Sequence, residues 1–129
     1  MNKQAVLKMI DKIRVAYPSR KYYESKEDLK TLVDMWLDLF DIFTEEFMNK
    51  ALNRALRKSD YPPTFSVIDT SVDELLEEHR RAVSDAREQV KWVENRLLYC
   101  QEDEKPMFEE SKKLEEERLK RLEEFKIYD

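Results

Sequence analysis

With 129 residues and a formal net charge of −5, the chain has room for one domain and an appendage, not for two independent cores. It contains no glycine, which excludes Gly-rich phosphate loops and dinucleotide fingerprints and argues against tight β-hairpin turns. Charged residues make up 41 %, and the acidic balance argues against general nucleic-acid binding, whose phosphate contacts need clustered Lys and Arg.

The first predicted helix runs from Lys3 to Tyr17, because Val6, Met9, Ile10, Ile13 and Tyr17 recur at three- and four-residue steps and form one apolar stripe. Pro18 stops it by pushing the preceding residue out of the helical region. Ser25 reads as an N-cap, with Glu27 and Asp28 in the first turn of a second helix over Lys26 to Asp41. That helix presents Leu29, Leu32, Val33, Trp36 and Phe40. Thr44 caps a third helix bearing Phe47, Met48, Ala51, Leu52, Ala55 and Leu56, which ends in the cations Arg57-Lys58. The Trp36, Phe40, Phe43 and Phe47 series at helical spacing is core. Tyr61-Pro62-Pro63 must be extended, and Thr64 caps a short fourth helix through Phe65 and Ile68.

Ser71-Val72-Asp73-Glu74 has the pattern of a capping box and opens a long helix expected to reach Gln101. Read as heptads, Leu76, Val83, Val90 and Leu97 occupy one seam position and His79, Ala86, Val93 and Cys100 the other, a pattern of coiled-coil packing. That seam allows either a homodimer through residues 72–103 or pairing with the segment after Pro106. Lys105-Pro106 breaks the helix. The last segment, Met107 to Ile127, is helical by propensity, yet Phe108, Leu114, Leu119, Leu122 and Phe125 share no single seam.

The division near Pro62-Pro63 is chemical as well as structural. Residues 1–64 carry 12 Lys/Arg and 10 Asp/Glu, whereas residues 65–129 carry 12 and 19. The expected architecture is all-α: a compact helical bundle at 1–70, then a charged helical extension at 71–129 with a coiled-coil-like helix and a C-terminal helix. No apolar run is long enough to span a membrane and no secretory signal stands at the N-terminus. A single cysteine fits a reducing cytoplasm.

Few residues here have the chemistry of a reaction centre. His79 is the only histidine, and Leu76 stands where a di-iron bundle needs a glutamate three residues before it, so no metal site or cofactor is expected. Cys100 lies 21 residues beyond His79 on the same predicted helix, about 30 Å away, too far for a nucleophile–base pair. The acidic runs Glu102-Asp103-Glu104 and Glu115-Glu116-Glu117 read as solvated faces. Lys50, Arg54 and Arg57 share one face of the third helix, and three explanations stay open: an acidic partner, DNA phosphates, or solvation with helix-dipole complementarity. Phe125, Ile127 and Tyr128 end a charged tail that cannot bury them locally. They are anchors for a partner, or they fold back as a hairpin.

The order Tyr17-Pro18, Leu32-Val33-Asp34-Met35-Trp36, Ala51-Leu52, Tyr61-Pro62-Pro63-Thr64 and Ile68 resembles the phage replicative-helicase loader and inhibitor family over about the first 70 residues. The resemblance implies a non-enzymatic protein of the bacterial host cytoplasm that binds a DnaB-like hexameric helicase, restrains its ATPase and delivers it to an origin-bound initiator. It also implies helicase contacts in the C-terminal segment, around Leu119, Leu122, Phe125, Ile127 and Tyr128, and an N-terminal domain that faces the initiator, with Lys50, Arg54 and Arg57 as a candidate patch. The rival readings are a coiled-coil structural or assembly protein of a phage and a small DNA-associated regulator.

Overall fold

A computed structural model describes residues 1–129. Five helices follow one another: α1 (Lys3–Ala16), α2 (Lys26–Phe40), α3 (Glu45–Lys58), α4 (Phe65–Tyr99) and α5 (Lys105–Glu124). The fold is all-α, with a long helix and a C-terminal helix after the N-terminal bundle, as the sequence predicts. Side chains satisfy the orphan amides that open the first four helices. Asn2 Oδ1 accepts from the Ala5 N–H at 2.9 Å, Ser25 Oγ from Asp28 at 3.1 Å, Thr44 Oγ1 from Phe47 at 3.1 Å and Thr64 Oγ1 from Val67 at 3.3 Å.

The chain divides into two compact units: Met1–Leu75 with Lys126–Asp129, and Leu76–Phe125. In the first unit α1 packs on α2 and α3, and the apolar stripes predicted for all three helices close over one core. Val6, Met9, Ile10, Ile13, Trp36, Phe40, Phe47, Met48, Leu52 and Ile68 are buried, each contributing about 1.5–3 kcal/mol of hydrophobic stabilisation where burial is complete. Trp36 meets Phe40 and Phe65 edge-on at 5.5 and 5.9 Å, which ties the start of α4 to α2. The Tyr17 hydroxyl donates to the Ser59 carbonyl at 2.6 Å, with the Leu56 carbonyl 3.2 Å away, and so serves the exposed C-terminal end of α3. The Arg20 guanidinium lies 4.4 Å over the Tyr61 ring and holds the α1–α2 loop to the Pro-Pro segment.

One expectation about local structure is corrected. The predicted short fourth helix and the long helix after it are a single α4, uninterrupted from Phe65 to Tyr99. Ser71 does not cap a helix: it is buried inside one, and its hydroxyl donates to the Val67 carbonyl at 3.0 Å. No proline separates Thr64 from Ser71, and Ile68 and Val72 bury the same face one turn apart, so nothing ends the first turns. The break that the sequence places at Lys105-Pro106 falls earlier, at Cys100–Glu104, and Pro106 sits inside the first turn of α5, where a missing N–H costs nothing.

In the second unit the remainder of α4 and α5 form an antiparallel hairpin. Arg87 pairs with Glu123 at 3.0 Å and Glu94 with Lys112 at 3.8 Å, while Trp92 meets Phe108 edge-on at 6.2 Å. Its core is thin: Ala86 and Val93 are buried on α4, and no residue of α5 is. The hairpin therefore relies on half-buried side chains and ion pairs, each of small worth at a surface.

Candidate partner-binding site

The C-terminal residues expected to hold a partner fall into two groups. Leu119 and Leu122 lie half-buried on α5, and Phe125 follows at its C-cap with its ring 6.2 Å from His79. Together with Phe108, Ser111 and Glu115 they recur at three- and four-residue steps, the stripe that α5 turns inward, whereas Leu114 is 58 % exposed. Facing them on α4, Ala86 and Val93 are buried, and Leu76, His79, Val83, Val90, Leu97 and Cys100 are half-buried. The thiol of Cys100 donates to the Leu97 carbonyl at 3.7 Å.

Ile127 and Tyr128 sit instead in the first unit, against the turn between α2 and α3. The Thr44 N–H donates to the Ile127 carbonyl at 2.8 Å, the Asp129 N–H to the Ile42 carbonyl at 2.9 Å, and the Thr44 hydroxyl to the Lys126 carbonyl at 2.8 Å. These bonds pair Phe43 with Tyr128 as an isolated antiparallel bridge, and the two rings stack at 5.5 Å. The Met1 ammonium pairs with the Asp129 carboxylate. Sequence reasoning missed this contact. A bridge made through main-chain groups has no side-chain pattern to find.

The basic face of α3 is partly committed to its own fold. Lys50 and Arg57 are exposed, but Arg54 lies 3.4 Å from the Glu74 carboxylate, which also pairs with Lys58. The Lys58 hydrogen bond, with Arg54 adding, holds the Glu74 carboxyl below its ordinary pKa. Farther along α4, hydrogen bonds from Arg80 and then Arg81 lower the Glu77 pKa to about 2.

Elsewhere the first unit has a surface concavity of about 850 Å³ beside the α1–α2 loop, where Arg14 lies 5.5 Å over the Tyr23 ring. Its charged lining, Asp11, Arg14, Arg20, Lys21 and Glu24, holds no histidine, cysteine or serine. Burial raises the Tyr22 pKa there. The buried Trp36 Nε1–H has no acceptor in hydrogen-bonding geometry, although the indole lies near enough to Tyr22 to offset that rise in part. No three His, Cys, Asp or Glu side chains are grouped to hold a metal ion, and no helix is long and apolar enough to cross a membrane.

The residues that carried the family resemblance converge in one place. Trp36, Ala51, Leu52, Pro63 and Ile68 are all buried in the first unit, with Tyr17 at its edge. The family profile for the N-terminal domain of a phage helicase-binding and helicase-inhibiting loader protein matches residues 1–68, the stretch that these side chains hold together. The chain belongs to this helicase-loader N-terminal domain family. The loader that defines the family binds a helicase, which makes this chain a phage helicase-associated protein. The family match ends within α4, before the hairpin and the tail. No curated relative and no solved structure matches the chain.

Proposed function

We propose that this chain is a non-enzymatic adaptor of phage DNA replication that binds a DnaB-like hexameric helicase, inhibits its ATPase and delivers it to an origin-bound initiator. The observation that carries this reading is the family match over the N-terminal core. The division of the chain into two units supports it, because tethering needs one folded module and a separate segment for the second partner. Leu119, Leu122, Phe125, Ile127 and Tyr128 hold the helicase. All five keep part of their surface in solvent, and a few apolar anchors carry most of a protein interface. The initiator docks on the first unit, with Lys50, Arg54 and Arg57 as the anion-facing patch.

Inhibition follows from binding alone. A hexamer whose subunits must move past one another during hydrolysis slows when a partner binds one arrangement better than the others. The test is to titrate the ATPase of a purified DnaB-like hexamer with the chain, with and without the cognate initiator. The expected result is a saturable fall in ATPase that the initiator reverses. An ATPase unchanged at saturating chain overturns the reading.

A further inference from the structure

The turn Ile42–Thr44 does more than join two helices. It offers the three groups that an extended segment needs: the Ile42 carbonyl, the Thr44 N–H and the Thr44 hydroxyl, all engaged by Lys126–Asp129. Phe43 supplies an aromatic seat, packed on Phe47 at 5.2 Å on one side and stacked on Tyr128 on the other. The Thr44 N–H stands before the first turn of α3, so no carbonyl of that helix can accept it, and Ile127 provides its acceptor. This is recognition by strand addition on a very short edge, with main-chain bonds for affinity and one ring for selectivity.

We propose that the Ile42–Thr44 edge is a docking site for the chain's own Lys126–Asp129 tip, and that its occupancy and helicase engagement exclude one another. The inference rests on the assignment of Ile127 and Tyr128 to the helicase contact. Groups bonded to Ile42 and Thr44 cannot at the same time pair with another protein. Free chain therefore holds its tip masked, and helicase binding must strip it off. The affinity observed for the helicase is then reduced by the fraction of chains with the tip docked. Stripping also bares the Ile42 carbonyl, the Thr44 N–H and the Phe43 ring on the unit that faces the initiator, so engagement at one end changes the surface at the other.

Hydrogen exchange on the unaltered full chain tests the docking directly. The Thr44 and Asp129 amides are expected to exchange at least about a hundredfold more slowly than unstructured amides. Unstructured rates at both, while the Met48 amide inside α3 stays protected, would overturn the site. On saturation with a DnaB-like hexamer both amides should lose protection, and retained protection in the complex overturns the exclusivity.

A lock adds a second arm. Phe43 and Tyr128 form a non-hydrogen-bonded antiparallel pair, in which Cα atoms stand about 4.5 Å apart, within disulfide range. Phe43→Cys with Tyr128→Cys and Cys100→Ser can be closed by mild oxidation and reopened by a thiol reductant. Closed protein should bind the hexamer at least about tenfold more weakly than the same protein reduced, and equal affinity in the two states overturns the proposal. If the unaltered chain binds no such hexamer, the helicase reading fails and the exclusivity with it, while the docking site is still judged by the free-chain amides.

Discussion

Tyr17→Phe removes a single hydroxyl, and its effect can be worked from the structure. That hydroxyl donates to the Ser59 carbonyl at 2.6 Å, beside the Leu56 carbonyl at 3.2 Å, at the end of a helix whose last carbonyls have no intrahelical donor. Losing the bond and leaving an under-satisfied acceptor costs about 1–2 kcal/mol. In a domain of this size that lowers Tm by about 4–16 °C. The pH dependence supplies an independent check. Burial first, and the Asp60 charge second, raise the Tyr17 pKa above its ordinary 10.0. Folding therefore favours the protonated phenol, so its contribution is complete below pH 10 and is lost as pH climbs through the higher folded value. The Phe variant lacks that group, and the gap between the two proteins should narrow on the alkaline side. Tyr22, raised by burial, is common to both and cancels. Near-ultraviolet circular dichroism melts at neutral and alkaline pH follow the aromatic core. Equal Tm at neutral pH, or a gap that widens with alkalinity, would refute the reasoning.

Trp36→Ala empties the centre of the aromatic cluster and should cost about 3–5 kcal/mol, read as a lower urea midpoint, whereas Met35→Ala on the exposed face should change little. Acidification should weaken the first turns of the hairpin between pH 4.5 and about 2, because the lowered Glu77 pKa stabilises the fold only while that carboxylate is charged; Glu77→Gln should flatten this part of a helicity titration. Deleting Lys126–Asp129 should lower the Tm of the first unit, since it strips three hydrogen bonds and the ring stacked on Phe43. Sedimentation at micromolar concentration should give a monomer, because α5 lies along the stripe of α4 that a homodimer needs; ready cross-linking through Cys100 would contradict this.

The N-terminal unit was legible because its signals are physical requirements of its core. Caps at Ser25, Thr44 and Thr64 mark helix starts, and Trp36, Leu52 and Ile68 repeat at the spacing that buries them. The residues that reveal the family are therefore core residues, and they speak of fold before function. Two features were misread or hidden for definite reasons. Ser71 and Glu74 have the spacing of a capping box, but the serine bonds back to Val67 and the glutamate reaches Arg54 and Lys58 across the unit. The inward stripe of α5 includes Ser111 and Glu115, so a reading of apolar residues alone finds no seam there. The tail contact is invisible to any pattern of side chains, since its hydrogen bonds all end on main-chain carbonyls.

The central claim is that the C-terminal segment holds the helicase. It is tested most directly by titrating the ATPase of a DnaB-like hexamer with the unaltered chain and with the double variant Leu122→Ala, Phe125→Ala. Far-ultraviolet circular dichroism confirms that the hairpin persists, and Leu114→Ala on the exposed side of α5 serves as control. Each anchor is expected to contribute about 1–3 kcal/mol, so the double variant should need about thirtyfold to ten-thousandfold more protein for half-inhibition, while the control matches the unaltered chain. Equal inhibition by the double variant and the unaltered chain would contradict the account.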